Sequence, residues 1–185
     1  MIVPRYYEDL SMMHDKTMPA RAYYIPASVR NDDFVEHREK SDRFQLLNGE
    51  WKFQYYNSIC DVTDAFYETD YDVSDFDSVA VPGVWQMDGY DVHQYTNIRY
   101  PFPFDPPYVP QDIPCGAYVH TFDYHKEEKA PKAFLNFEGV DSCFYVWVNG
   151  VYAGYSQVPH ATSEFDVTSL LNEGENTLAV LVLKW

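Results

Sequence analysis

A chain of 185 residues with 46% apolar and 23% charged side chains can fill one domain with a sizeable core, and is too apolar for disorder. Thirteen Lys and Arg against 29 Asp and Glu leave a formal charge of −16. That balance repels a nucleic-acid backbone and an anionic membrane surface, while a neutral ligand such as a sugar is not penalised. An aromatic share of 18% favours pleated, half-buried sheets. Cys60, Cys115 and Cys143 are odd in number and widely spaced, so neither a metal pattern nor a disulfide framework is expected, and a reducing compartment fits. The first residues carry no apolar signal core, and no run approaches a membrane span. The expectation is a cytoplasmic protein without nucleic-acid or membrane partners.

Residues 1–42 are polar, charged and aromatic without a clear period, and read as an extended arm lying over the domain or over a partner. The domain itself is expected over 43–185. Trp51, Phe53 and Tyr55 alternate with Lys52 and Gln54, a period of two that predicts a strand. A short helix is expected over 61–69, and a strand over 78–81 that ends at Pro82-Gly83. Residues 101–114 hold six Pro and predict an ordered, extended loop rather than a helix or central strand.

Strands then follow closely. Ala117 to Tyr124 sets Tyr118, His120, Phe122 and Tyr124 on one face, with His120 read as a packing residue, and Ala133–Phe137 is another strand. Cys143–Val148 and Val151–Tyr155 flank Asn149-Gly150, which supplies the positive φ angles of a type I′ hairpin turn. Ser163–Val167 is short, Thr168–Leu171 reads as one helical turn, and Thr177–Leu183 is a continuous apolar run suited to burial on both faces. Many short strands with turn signals and no long helical period predict an all-β sandwich. Trp185 falls directly after the most hydrophobic strand, which reads as a boundary within a longer protein.

Several segments carry a family pattern in order over residues 43–185. They are Leu47-Asn48-Gly49-Glu50-Trp51-Lys52-Phe53, Val81-Pro82-Gly83-Val84-Trp85-Gln86-Met87-Asp88-Gly89-Tyr90-Asp91 and Tyr95-Thr96-Asn97-Ile98-Arg99-Tyr100-Pro101. Phe137-Glu138-Gly139-Val140-Asp141-Ser142, Val146-Trp147-Val148-Asn149-Gly150, Gly154-Tyr155-Ser156-Gln157, Ser163-Glu164-Phe165-Asp166 and Gly174-Glu175-Asn176-Thr177-Leu178-Ala179-Val180 continue it. Together they resemble the N-terminal sugar-binding domain of β-galactosidases, glycoside hydrolase family two. Gln86-Met87 and Tyr95-Thr96-Asn97 separate the pattern from the β-glucuronidase branch.

The resemblance implies a jelly-roll β-sandwich of the galactose-binding-domain type, followed in the whole enzyme by an immunoglobulin-like domain and a TIM barrel with two catalytic Glu. The barrel is absent from this chain. By resemblance, the full-length protein hydrolyses terminal non-reducing β-D-galactosides such as lactose by the retaining mechanism. Magnesium and sodium belong to that full-length enzyme, which is a homo-oligomer in relatives. This chain alone holds neither the Glu pair nor the barrel ligands, so it is expected to be inactive and without cofactor or metal of its own. Its partners would be β-galactoside sugars and the remaining domains.

One substrate contact of the family carries over, onto Asn97. A neutral amide donates to one hydroxyl and accepts from another, whereas the residues alone read Asn97 as a turn residue before Pro101. Trp85, Tyr100 and Phe104 are candidates for the pocket rim, although a Trp between Val84 and Gln86 reads by itself as packing inward. Gln157 lies where relatives carry a structural cation, but no ligand set is assigned here. Asp88, Asp91, Glu138 and Asp141 are weighed as a carboxylate pair and read as chance neighbours in an acidic chain. The alternatives are an independent carbohydrate-binding module without catalytic role, or a scaffold without a ligand, since a fold does not decide function.

Overall fold

The computed structural model describes residues 2–95, 97 and 99–185. Nine strands carry the fold: β1 (His14–Asp15), β2 (Gly49–Tyr56), β3 (Asp77–Val81), β4 (Cys115–Tyr124), β5 (Phe134–Phe137), β6 (Cys143–Val148), β7 (Val151–Ser156), β8 (Ser163–Asp166) and β9 (Gly174–Leu183). Seven form one antiparallel sheet in the order β1-β7-β6-β9-β4-β2-β3, and β5 pairs with β8 in a second. The all-β sandwich expected from the sequence is the fold observed.

The centre of the large sheet is buried on both faces, and the alternation of side chains along β6 and β9 divides two cores. Cys143, Tyr145 and Trp147 join Ala179, Leu181 and Leu183 on one face, under Val3, Tyr7, Ile59 and Phe66. Phe144, Val146 and Val148 join Leu178, Val180 and Val182 on the other, with Phe53, Trp85 and Phe165. This is why β9 reads as an unbroken apolar run: neither face meets water. Phe137 of β5 and Phe165 of β8 meet Phe144 at 4.8 and 6.1 Å, which stitches the small sheet to the large one.

The arm is built into this packing at its start. Val3 and Tyr7 are buried, and the Tyr145 hydroxyl donates to the Pro4 carbonyl at 2.5 Å. β1 then pairs with β7, and Met18 N–H donates to the Glu164 carbonyl on β8 at 2.7 Å. Residues 14–18 thus cross from one sheet to the other. Further along, the Arg21 guanidinium grips the Glu164 carboxylate with two nitrogens, and Arg38 pairs with Glu138.

Turn chemistry fixes the hairpin. Asn149 and Gly150 have φ of 51° and 78°, as a type I′ turn needs. Gly154 permits close approach: a Cβ there would lie 2.5 Å from the Asp15 carbonyl and 2.6 Å from the Phe165 ring. The helix expected over 61–69 does not form. A short 3-10 turn at Ile59–Asp61, capped by Ser58, is followed by turns whose Val62 and Phe66 plug the sheet face. Burying those two side chains outweighs the weak helical preference of a segment holding Thr63 and Asp64.

Candidate functional site

The segment between β3 and β4 positions the residues singled out above. It leaves the sheet at Val81 and is first nailed down by Trp85. That ring is 7% exposed and packs on Phe53 at 6.2 Å and edge-on to Tyr55 at 5.7 Å. Its carbonyl accepts from Tyr90 N–H at 3.1 Å. The Tyr90 ring lies on Phe53 at 4.9 Å, and its hydroxyl donates to Asp77 Oδ2 at 2.9 Å. Partial burial, and then that carboxylate, push the Tyr90 phenol above its ordinary value.

Beyond Tyr90 the chain turns outward. Val92 and Tyr95 are exposed, and so is Asn97. The Asn97 side-chain N–H donates to the Tyr95 hydroxyl at 2.9 Å, which engages one of its two amide protons. Tyr100 and Phe104 are exposed and lie edge to face at 5.4 Å, and Tyr100 meets Phe102 in the same way at 5.2 Å. Phe102 in turn packs edge-on against Trp185 at 5.1 Å. Of the four residues named from the sequence, Asn97, Tyr100 and Phe104 are exposed on one loop, while Trp85 is buried against Phe53 and Tyr55. The neighbours Thr96 and Ile98 lie outside the described residues.

A cleft of about 580 Å³ opens beside this loop, lined among others by Gln94, Phe102, Tyr108, Asp112, Lys184 and Trp185. It combines aromatic walls with polar and charged groups. Gln94 and Pro101, which lie on either side of Asn97 in sequence, both line it.

The four acidic residues weighed from the sequence differ in their surroundings. Asp91 is engaged by Lys184, Glu138 by Arg38, and Asp88 and Asp141 are exposed. Asp91 and Lys184 are 93 positions apart, so no spacing rule could have joined them. Gln157 gives its side-chain N–H to the Met12 and Asp9 carbonyls at 2.6 and 3.4 Å, tying down the arm. Among the described residues, no group of three or more His, Cys, Asp or Glu could hold a metal ion. The Cys115 and Cys143 thiols are buried, which pushes both up to about 12 and makes them poor nucleophiles. Also among the described residues, no helix is long and apolar enough to cross a membrane.

Comparison with known proteins gives the family and the fold. The family described as glycosyl hydrolases family 2, sugar binding domain, matches residues 44–185. A β-galactosidase of Actinobacillus pleuropneumoniae is 46% identical over 185 residues, covering 100% of this chain and 18% of its own length. A β-galactosidase of Staphylococcus xylosus is 43% identical over 186 residues, again with 100% and 18% coverage. The chain thus spans about a fifth of these relatives. Among solved structures, a β-glucuronidase from an uncultured Clostridium sp. superimposes with a TM-score of 0.54 at 24% identity, over 75% of this chain and 21% of the other. A Bifidobacterium dentium β-glucuronidase complexed with coumarin-3-O-glucuronide gives 0.53 at 24%, over 74% and 19%. Those two likenesses establish the fold.

Proposed function

This chain belongs to the sugar-binding domain family of the family 2 glycosyl hydrolases, and on that premise we propose that it serves a β-galactosidase. The observation that carries this is identity of 46% and 43% over the whole chain to proteins named β-galactosidase. In this reading the full-length enzyme removes terminal non-reducing β-D-galactosyl groups, from lactose for example. Its carboxylate pair acts by attack and proton transfer with retention, from a part of the protein outside residues 1–185. The magnesium and sodium of such an enzyme belong there too. The chain's own task is to buttress the catalytic part and present a loop to the sugar.

Asn97 is the residue that would read the sugar. Its amide oxygen accepts from one hydroxyl, and its nitrogen keeps a second proton after donating to Tyr95. A site built around such bonds discriminates strongly, because a sugar with a misplaced hydroxyl leaves them unmade. Tyr100 and Phe104 supply exposed ring faces for the rim. Trp85 belongs to the core against Phe53 and Tyr55. A homo-oligomeric, cytoplasmic enzyme completes the proposal.

The test is kinetic. In the full-length hydrolase, Asn97→Ala should lower kcat/KM for a nitrophenyl β-galactoside by roughly 5- to 100-fold, the cost of leaving one buried sugar hydroxyl unpaired. The isolated chain should show no turnover. An unmodified full-length enzyme that prefers a β-glucuronide to a β-galactoside would overturn the assignment.

A further inference from the structure

Among the described residues of the loop carrying Asn97, few side chains enter the core. Val92 and Tyr95 are 66% and 81% exposed, so the sandwich core does not grip them. What does grip the loop is a pair of consecutive residues just past β9. Lys184 is itself fixed: its N–H donates to the Pro114 carbonyl at 3.0 Å, and its carbonyl accepts from the Ser142 hydroxyl at 2.8 Å. From that anchored backbone its ammonium reaches Asp91 Oδ2 at 2.5 Å, with both side chains only 10% and 11% exposed. The other carboxylate oxygen accepts from Val92 N–H at 2.7 Å, the first peptide of the outward loop. Asp91 therefore joins the strand end to the loop with its two oxygens. On the far side of Asn97, Trp185 lies under the Lys184 ammonium at 5.0 Å and packs against Phe102.

We infer that Lys184, with Asp91 as its counter-charge, is a positioning residue that fixes the loop bearing Asn97, an inference that rests on reading Asn97 as a sugar contact. The physical reason is what such a pair is good for. Two charges this far from water repay their desolvation poorly, so the pair is a weak source of net stability. It is a strong source of geometry, because neither charge tolerates being left alone in the same place. Salt screens it little, so the clamp holds at physiological ionic strength. Holding the amide in advance spares the ordering cost when sugar binds.

The experiment is backbone NMR relaxation on this chain without sugar, for the native sequence, Lys184→Met, Lys184→Arg and Asp91→Asn. In the native protein the order parameters of residues 92–95 and 97 should lie near about 0.85, and in Lys184→Met they should fall below about 0.6. Lys184→Arg should restore them, since it keeps a charged donor. Asp91→Asn keeps the shape and the bond to Val92, and should loosen the loop even if Lys184→Met fails to fold. Unchanged order in the two charge-removing variants would overturn the inference. So would a loss of order spread evenly over β4 and β9, which would make the role merely structural. A galactose titration of the native chain and of Asn97→Ala reads the sugar contact separately, so either claim can fail while the other stands.

Discussion

Replacing Trp85 with Ala tests whether that ring belongs to the core or to a sugar. The side chain is 7% exposed and is enclosed by Phe53 and Tyr55. A buried Trp removes about 150–250 Å² from water, worth roughly 4–6 kcal/mol at about 25 cal/mol/Å². Alanine keeps the Cβ, and the neighbouring Phe53 and Tyr55 rings can partly collapse into the space. The expected loss is therefore about 3–5 kcal/mol. Urea unfolding followed by far-ultraviolet circular dichroism measures it. With a slope of about 2 kcal/mol/M, the midpoint should fall by roughly 1.5–2.5 M with the slope itself unchanged. Trp85→Phe should recover much of the loss, because Phe refills part of the space against Phe53. A loss below about 1 kcal/mol for Trp85→Ala would refute this reasoning. The ring would then be dispensable to the core and free to stack on a sugar.

The opposite perturbation lies just beneath it. A Cβ on Gly116 would fall 2.4 Å from the Phe53 ring and 2.7 Å from the Trp85 ring, so Gly116→Ala should cost about 1–3 kcal/mol by the same urea assay. Asn149→Ala removes bonds from its amide to the Leu170 carbonyl and to Asn176, and from Thr177 N–H to its oxygen. Three such bonds at about 1 kcal/mol each predict a fall of about 3 kcal/mol, seen as a lower thermal midpoint. His120 and His125 should titrate on opposite sides of 6.5 when followed by NMR. Burial against Trp51 lowers His120, while the Glu173 carboxylate raises His125. For His120 the unfolded chain binds the proton more readily, so its contribution to stability is complete above about pH 6.5 and declines as pH falls below it. His125 acts in the reverse sense: its contribution is present below 6.5 and is lost as pH rises through its raised value.

Much of the fold was legible because its causes are local. Trp51, Phe53 and Tyr55 alternate at the strand period, and β2 forms there. Asn149-Gly150 can only take one kind of tight turn comfortably, and it does. The length and hydrophobicity of 177–183 announced a strand covered on both faces, which β9 is. The expectation of a helix over 61–69 failed because tertiary burial of Val62 and Phe66 decided that segment, and a weak local preference could not oppose it.

The sequence by itself determined the strand pattern, the hairpin and the family, since alternation, turn chemistry and ordered motifs are written along the chain. Only the tertiary structure decided which partners meet across it. Asp91 finds Lys184 from 93 positions away, Trp51 stacks on His120 at 4.8 Å across the sheet, and the arm enters the core through Val3 and Tyr7. It also separated Trp85, which is buried, from Asn97, Tyr100 and Phe104, which are exposed. The physical reason is that burial and ion pairing depend on distance in space, and that distance is set by the whole sheet at once rather than by any segment of the chain.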